Sequence, residues 1–284
     1  MLSTSHVCGI EKVGECYEKD RIDLDKQTGG DRDMLEGKIC FVSGAARGRG
    51  NGRAIALKLA EKGAHVATGD IRFEDAQAVA DEVRAIGRKS VAVRMDIGDY
   101  EQVKRGFEEI KRELGPVDIL VNNAAIMTNM STISSMAVEA WQKEISVNLS
   151  GAFYCVKQVF DDMAKRKWGR IINISSVAGA MGGYGQCSYS SSKAGLIGLT
   201  KTIALEGARS GITANAITLG VIGTDAFYDL PEKVREKITG RVALRKEGAP
   251  EDVASIVAFL ASDEAKYITG ANIMLTGGLD LFVF

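Results

Sequence analysis

Residues 39–57 read ICFVSGAARGRGNGRAIAL, and this stretch decides the fold. Its first four residues are apolar, which predicts a buried strand. A glycine-rich turn comes next, and from Arg53 the apolar residues recur at helical spacing. A strand that passes through glycines into a helix forms a pyrophosphate site, because glycine lets the backbone approach the anion and the unpaired N–H groups of the helix bind it.

Five residues of this turn are therefore candidate cofactor contacts. They are Gly44, Arg47, Gly50, Asn51 and Gly52. A glycine run by itself also fits an ordinary tight turn between a strand and a helix, so the interpretation depends on the second strand and the residue at its end.

An acidic residue completes the predicted dinucleotide unit. The second apolar strand ends in Asp70, about 20 residues beyond the glycines, where a carboxylate accepts hydrogen bonds from the adenosine ribose. A carboxylate there favours NAD because it repels the 2′-phosphate of NADP. Arg47 and Arg72 could offset this repulsion, so NADP is not excluded.

From Lys38 onward, short β-branched runs alternate with longer amphipathic stretches. This alternation predicts one α/β domain over residues 37–284, a doubly wound parallel sheet covered by helices on both faces. Strands are expected at 38–43, 64–69, 90–95, 118–121, 169–174, 212–217 and 271–275. Helices are expected at 52–62, 74–86, 100–114, 139–166, 190–208 and 250–260. Residues 1–36 have neither period and are predicted to form an N-terminal extension.

Composition excludes several classes of function. Lysine and arginine (36) balance aspartate and glutamate (37), so no positive field favours a nucleic acid partner. No apolar stretch approaches the ~20 residues of a membrane span, and none near the start resembles a signal peptide, so we expect a cytoplasmic protein. With two histidines and no Cys-x-x-Cys pair, we expect no metal site, and acid–base chemistry must come from other residues.

Tyrosine supplies that alternative. Tyr189 and Lys193 lie four residues apart, which places both side chains on one face of a helix. A phenol titrates near 10, so a nearby ammonium would be needed to stabilise the phenolate at neutral pH. The spacing alone is weak evidence, because Tyr100 and Lys104 share it. Ser176 sets Tyr189 apart, because it ends an apolar strand whose carboxyl end points to the predicted ligand edge of the sheet.

From about Leu35 to the C-terminus, the chain resembles the short-chain dehydrogenase/reductase family, and within it the 3-oxoacyl-[acyl-carrier-protein] reductases and related secondary-alcohol dehydrogenases. The resemblance rests on motifs spread over the whole domain: the turn from Gly44, Met95-Asp96-Ile97, Asn122-Asn123-Ala124-Ala125, Asn148, Ser176, Tyr189, Lys193, Asn215 through Thr224, and Tyr267-Ile268-Thr269-Gly270. It implies a Rossmann fold and an NAD(P)-dependent oxidoreductase that transfers hydride between the nicotinamide and a secondary alcohol or ketone, with 3-oxoacyl thioesters among the candidates.

The resemblance also implies a role for each matching residue. Tyr189 would exchange a proton with the substrate oxygen, Ser176 would hydrogen-bond that oxygen, and Lys193 would hold the nicotinamide ribose and lower the pKa of Tyr189. Asn148 would anchor a water that links Lys193 to solvent. The remaining cofactor contacts would come from Asp96, which meets the adenine amino group, and from Ile97, Asn123, Ile222 and Thr224. A homo-oligomer, commonly a tetramer, is expected, and the apolar tail 279–284 fits a subunit contact.

Two departures from the family pattern leave a second interpretation open. The glycine turn is two residues longer than usual, so we align Gly50 and Gly52 with the second and third family glycines. Leu219 stands where a proline is usual, which is expected to loosen the backbone beside the nicotinamide. The alternative is therefore a cofactor-binding but weakly active or inactive partner subunit of a dehydrogenase complex.

Substrate specificity is expected from three segments after the later strands, 126–136, 180–187 and 224–240. Their large side chains include Met127, Met130, Met181, Phe227 and Tyr228. Such an apolar, adaptable set suits an aliphatic or aromatic ketone.

Overall fold

A computed structural model describes residues 34–46, 48–128 and 130–281. Seven parallel strands form one sheet in the order β3-β2-β1-β4-β5-β6-β7. The strands are β1 (Ile39–Ser43), β2 (His65–Asp70), β3 (Ser90–Arg94), β4 (Ile119–Asn122), β5 (Gly169–Ser176), β6 (Ile212–Leu219) and β7 (Asn272–Leu275). The fold is therefore the predicted doubly wound α/β domain, and each of the seven expected strands is confirmed.

Helices cover both faces of the sheet. They are α1 (Asn51–Glu61), α2 (Phe73–Ala85), α3 (Tyr100–Glu113), α4 (Val138–Ile145), α5 (Gly151–Arg166), α6 (Val177–Met181), α7 (Cys187–Gly207), α8 (Asp225–Tyr228), α9 (Glu232–Thr239) and α10 (Pro250–Ala261). One core layer packs α1, α2 and α10 against the sheet, and the other packs α3, α5 and α7. None of the helices in the described ranges is both long and apolar enough to cross a membrane.

The order of the strands reverses at β1. The chain runs outward from β1 to β3, then returns to the other side of β1 and continues outward from β4. Val42 is consequently paired with Thr68 on one side and Val121 on the other. At such a switch point the loops after β1 and β4 diverge above the carboxyl ends of the strands, which opens a crevice for a ligand.

Helical structure differs from the sequence prediction in two places. The helix expected over residues 139–166 is three elements, because a π-helical turn at Ser146–Ser150 separates α4 from α5. The helices α6, α8 and α9 were not predicted. They are short, and in segments of 4 to 8 residues the helical period cannot be distinguished from an irregular loop.

Contacts of the domain begin before residue 37. Leu35 is 1% exposed within the core, and its backbone N–H donates to the carbonyl of Lys62 at 2.8 Å. Glu36 pairs with Arg88 across the surface. Residues 1–33, which make up most of the predicted extension, lie outside the described residues.

Candidate active site

A cleft of about 490 Å³ opens at the switch point, between the loops after β1 and β4. Seven of the predicted cofactor contacts line it: Gly44, Asn51, Gly52, Asp70, Asp96, Ile97 and Asn123. These residues come from the ends of β1, β2, β3 and β4 and from the first turn of α1. The structure thus brings together side chains that lie up to 79 residues apart in the chain.

Close contacts explain why glycine is needed at two positions of the turn and not at a third. Gly44 has a φ of +68°, and a Cβ there would lie 2.8 Å from the Cα of Ala124. A Cβ on Gly52 would lie 2.1 Å from the carbonyl oxygen of Gly44, so Gly52 is required for α1 to pack against β1. A Cβ on Gly50 would meet nothing within 4 Å, so no protein contact accounts for glycine at that position.

The start of α1 is suited to an anion. Gly50 is the N-cap residue and provides no capping side chain, and the first turn contains no acidic residue. The Oδ1 atom of Asn51 is buried without a hydrogen-bond partner in the described residues. Free backbone donors at a helix N-terminus attract a pyrophosphate, and Asn51 and Gly52 of this first turn line the cleft. The residues present therefore fit a nicotinamide dinucleotide.

Asp70 is held in a defined orientation at the end of β2. Its Oδ1 atom accepts a hydrogen bond from the backbone N–H of Arg72 at 2.9 Å. The Arg72 Nε atom lies 3.7 Å from Asp70 Oδ1 and 3.4 Å from Asp75 Oδ2. The guanidinium that could have attracted a 2′-phosphate is thus already shared between two carboxylates.

Two further residues at the cleft are fixed by hydrogen bonds. Asp96 accepts from the backbone N–H of Gly98 at 2.8 Å and from the Lys143 Nζ at 3.0 Å. Asn123 donates from Nδ2 to the carbonyl oxygens of Ser43 and Gly44 at 3.0 and 3.2 Å. Lys143 also lines the cleft, although the sequence analysis did not single it out.

Some predicted contacts lie elsewhere. Gly50 faces a neighbouring cleft, and Ile222 lines a separate one beyond β6. Ile222 pairs with Gly248 in the segment after β6, and Thr224 precedes α8 as its N-cap. Neither Ile222 nor Thr224 lines the cleft at the switch point. Arg47 lies outside the described residues.

Ser176, Tyr189 and Lys193 meet at the carboxyl end of β5. Ser176 is the last residue of β5 and its Oγ accepts from the backbone N–H of Ala178 at 3.2 Å, which starts α6. The Ser176 hydroxyl also lies near the Tyr189 phenol and lowers the pKa of that phenol. Lys193 lies one turn further along α7, with its Nζ 5.7 Å from the centre of the Tyr189 ring. The expected juxtaposition of hydroxyl, phenol and ammonium is therefore present.

The pKa of Tyr189 is raised, whereas the family resemblance implies that Lys193 lowers it. Burial raises this pKa, and the negative charge of Glu144 raises it further, while the hydrogen bond with Ser176 lowers it. Lys193 does not provide the expected lowering, because its Nζ donates to the carbonyl of Ile174 at 2.7 Å instead of to the phenol. At neutral pH the phenol is consequently protonated and able to donate.

Lys193 is itself perturbed by its surroundings. It is 2% exposed, and burial lowers its pKa to about 8. In the described part of the chain, the Ile174 carbonyl is the one hydrogen-bond acceptor of its ammonium. Two N–H groups are left to bind a ligand such as a ribose.

Asn148 lies in the π-helical turn and connects two loops of the site. Its Oδ1 accepts from the backbone N–H of Ile126 at 2.8 Å, and its Nδ2 donates to the Ile126 carbonyl at 2.8 Å and to Ser192 Oγ at 3.3 Å. Both amide hydrogens are used within the protein. The side chain therefore fixes the loop after β4, and no amide hydrogen is left to donate to the predicted water.

Comparison with known proteins agrees with this arrangement. Residues 44–280 match the family model described as enoyl-(acyl carrier protein) reductase. The 3-oxoacyl-[acyl-carrier-protein] reductases FabG of Staphylococcus epidermidis and Thermotoga maritima are each 42% identical to it, and cover 85% and 86% of this chain and 98% of their own. Nodulation protein G of Azospirillum brasilense is 43% identical, over 86% of this chain and 98% of its own.

The chain belongs to the short-chain dehydrogenase/reductase family. It is accordingly an oxidoreductase that uses a nicotinamide cofactor and acts on keto or secondary alcohol groups. A short-chain dehydrogenase/reductase needs a stable backbone beside the nicotinamide, and the two departures noted in the sequence bear on this requirement.

The structure of this short-chain dehydrogenase/reductase accommodates both departures. In the longer glycine turn, Ala45 and Ala46 are buried, and the Arg49 backbone N–H donates to Asp225 Oδ2 at 2.8 Å. Leu219 does not loosen the strand end as expected. It is buried and lies in register with Ser176 on one side and Leu275 on the other, so two ladders fix its backbone.

Of the three specificity segments, two contact each other. The backbone N–H of Ser131 donates to the Gly185 carbonyl at 2.8 Å, which joins the loops that carry the exposed side chains of Met130 and Met181. The third segment differs from the expectation, because Phe227 is buried and the Tyr228 hydroxyl donates to Glu247 at 2.8 Å. The exposed methionines are thus better placed than these two aromatic residues to meet a substrate.

Glu144 is a buried residue of the site that was not predicted from the sequence. Its carboxylate is 1% exposed and accepts from the Thr128 backbone N–H and hydroxyl at 2.6 and 2.8 Å and from the Ser188 hydroxyl at 2.7 Å. One signal could have found it. Glu144 is four residues before the predicted site residue Asn148, a spacing that places two side chains on one face of a helix.

Proposed function

We propose that this protein catalyses the reversible reduction of a ketone to a secondary alcohol, with 3-oxoacyl thioesters as the preferred class and NAD as the preferred cofactor. One observation carries the proposal. The Tyr189 phenol lies near Ser176, whose hydroxyl lowers its pKa, and one helical turn from Lys193, in a domain whose switch-point cleft fits a dinucleotide. The acyl thioester class is supported by the names of the FabG relatives.

When bound, the nicotinamide supplies the hydride that is added to the substrate carbon, or accepts it in the reverse direction. In the reductive direction, Tyr189 transfers its phenolic proton to the substrate oxygen as negative charge develops there. Ser176 donates a hydrogen bond to the same oxygen and stabilises that charge. Because the pKa of Tyr189 is raised by burial, the donor form is present at neutral pH.

Lys193 has two tasks in this mechanism. Its free N–H groups would bind the ribose hydroxyls of the cofactor. A bound substrate or cofactor that draws the ammonium from the Ile174 carbonyl toward the phenol would let its charge stabilise the phenolate. Asn148 contributes by holding the loop after β4 through Ile126. Asp96, Ile97 and Asn123 would line the adenosine part of the site.

The preference for NAD arises from Asp70. Its carboxylate accepts hydrogen bonds from ribose hydroxyls and repels a 2′-phosphate, and Arg72 is already paired with Asp70 and Asp75. NADP would be favoured only by a cation that outweighs Asp70, and Arg47 is the remaining candidate.

The alternative, an inactive partner subunit, was motivated by the longer glycine turn and by Leu219. Both features are accommodated without disturbing Ser176, Tyr189 or Lys193. We therefore favour the active enzyme.

Turnover of a substrate panel with NADH and NADPH tests the proposal. The panel contains a 3-oxoacyl thioester, an enoyl thioester and a simple ketone. We expect 3-oxoacyl reduction to be fastest, and Tyr189→Phe to lower kcat by about 10²- to 10⁴-fold while NADH still binds. Tyr100→Phe is the matched control, because Tyr100 and Lys104 share the same spacing and Tyr100 packs against Tyr154 away from the cleft. Equal rates for wild type and Tyr189→Phe would refute the mechanism.

Assembly and location form part of the same proposal. We expect a homotetramer, since Phe153 on α5 and Leu205 on α7 are exposed apolar residues on two long helices. Leu281 in the apolar tail is also exposed, whereas residues 282–284 lie outside the described residues. A monomeric mass by light scattering at micromolar concentration would contradict the tetramer, and cell fractionation tests the cytoplasmic location.

A further inference from the structure

A second cleft, of about 620 Å³, begins where β5 ends. One wall is α6, which starts directly after Ser176, and the opposite wall is formed by residues 240–245 together with the C-terminal turn. Val177, Met181, Val242 and Leu279 give this cleft an apolar part. A substrate whose carbonyl oxygen meets Ser176 would therefore extend its remaining part into this cleft.

Two arginines provide the positive charge of this cleft, and Gln186 is a further polar residue in its lining. Arg241 and Arg245 both line the cleft and both are exposed. Among the residues that the structure describes, no carboxylate forms an ion pair with either guanidinium. The protein contact of Arg245 is a hydrogen bond from Nη1 to the Gly240 carbonyl. Two uncompensated guanidinium groups beside an apolar wall are complementary to a chain that ends in an anion.

The backbone of Arg245 provides an independent observation. Its φ is +57°, in the left-handed region where glycine is favoured, and in the described residues Lys167 is the one other non-glycine residue with a positive φ. The segment is fixed in place, because the adjacent Leu244 N–H donates to the Gly277 carbonyl at 3.1 Å. An unfavourable conformation that persists beside a ligand cleft is typical of a residue retained for its side chain.

We propose that this cleft binds the part of the substrate remote from the reacting carbonyl, and that Arg241 and Arg245 bind an anionic group on it, a carboxylate or a phosphate. The inference rests on the proposed function and narrows its substrate class from ketones in general to anionic oxo compounds. The guanidinium groups contact the substrate but take no part in proton transfer.

Three substrates with the same reacting group distinguish the sources of charge. A 3-oxoacyl-CoA carries phosphates, the matching N-acetylcysteamine thioester is uncharged, and a 3-oxoacyl N-acetylcysteamine thioester with a terminal carboxylate places the anion on the acyl chain. The measured quantity is the ratio of kcat/KM for each anionic substrate to that for the uncharged one. We expect Arg241→Gln and Arg245→Gly each to lower this ratio by about 10- to 100-fold for one anionic class, mainly through KM.

Arg245→Gly is the sharper of the two variants. Glycine adopts a φ of +57° without strain, so this variant is expected to unfold at the same or a higher temperature than wild type while it loses the charge. Arg209→Gln is the control, since Arg209 is an exposed arginine at the amino end of β6, the opposite edge of the sheet. The proposal would be overturned if neither variant changed this ratio, whether kcat/KM fell equally on charged and uncharged substrates or did not fall at all.

A binding measurement separates this inference from the proposed function. Calorimetric titration of wild type, Arg241→Gln and Arg245→Gly with CoA and with an aliphatic dicarboxylate reports anion binding without turnover. If wild type reduces no member of the panel but binds one probe in an arginine-dependent manner, the proposed function fails and the anion site stands. If wild type binds neither probe and does not discriminate between the thioesters, the anion site is refuted.

Discussion

The Glu144 carboxylate accepts a 2.7 Å hydrogen bond from the Ser188 hydroxyl, one residue before Tyr189. The same carboxylate accepts two hydrogen bonds from Thr128 in the loop after β4. It therefore connects α4, that loop and the start of α7 through one buried charge. Three donors satisfy an ionised carboxylate, and its negative charge is felt by the phenol next to it.

Glu144 is expected to set the pH range of the reaction. The charged groups that face Tyr189 in the described structure are Glu144 from α4 and Lys193 from its own helix. Because the carboxylate raises the pKa of Tyr189, Glu144→Gln should lower it. The rate of reduction needs the protonated phenol, so its fall at high pH should move to lower pH. The pH profile of kcat/KM measures this shift.

The control for Glu144→Gln is Glu139→Gln, which removes an exposed carboxylate from the same helix. The Glu139→Gln profile should overlay that of wild type. A profile for Glu144→Gln that keeps its shape and position while only the amplitude falls would mean that Glu144 merely holds the loops together.

Lys193 should make the free energy of unfolding depend on pH between about 8 and 10.5. Its pKa is about 8 in the folded protein and 10.5 in the unfolded chain, so between these values the unfolded chain binds more protons. Stability therefore rises from pH 8 to pH 10.5 through this group, by about 3 kcal/mol, and the penalty is complete below pH 8. Urea unfolding across this pH range should show no such rise in the free energy of unfolding for Lys193→Met. Lys201→Met, at an exposed position of the same helix, should retain it.

Asp70→Asn should shift the cofactor preference from NAD toward NADP. Asparagine can still accept the Arg72 N–H through its Oδ1, so the local backbone is retained while the charge is removed. The shift should be about 1–3 kcal/mol, or roughly 5- to 150-fold in the ratio of dissociation constants. Fluorescence titration with NADH and NADPH measures both constants. Tighter binding of NADPH by wild type would assign the choice to Arg47 instead.

Removal of residues 1–33 should leave a folded domain that binds NADH. Leu35 is buried and bonds to Lys62, so a truncation that begins at Met34 keeps every contact of the described domain. Circular dichroism and cofactor titration should match those of the full chain within error. A second truncation, which begins at Gly37, should lower the unfolding temperature because it deletes Leu35. An insoluble product from the first truncation would place part of the extension in the core.

The sheet was predictable because its signals are local. Strands buried on both faces appear as continuous apolar runs, and the run ending at Val42 leads into glycines that a close backbone approach requires. The positions of Ser176, Tyr189 and Lys193 were predictable for a related reason. A strand end and one helical turn fix their relative placement without any knowledge of distant contacts.

The features that could not be predicted from the sequence depend on contacts between distant segments. Lys193 was expected to lower the pKa of Tyr189, but its ammonium binds the Ile174 carbonyl and burial dominates the phenol. Glu144 is buried only because Thr128 and Ser188 supply its donors. In each case a partner far along the chain decides the outcome.

The two glycines at the start of α1 should respond differently to alanine. A Cβ on Gly52 would lie 2.1 Å from the Gly44 carbonyl, so Gly52→Ala must displace α1 from β1 and should cost about 1–3 kcal/mol of unfolding free energy. A Cβ on Gly50 meets no protein atom within 4 Å, and its φ of −132° suits alanine. Gly50→Ala should therefore unfold like wild type in urea and keep its NADH affinity, because Gly50 lines a neighbouring cleft and not the one at the switch point. Weaker NADH binding by Gly50→Ala would mean that the pyrophosphate lies against this residue.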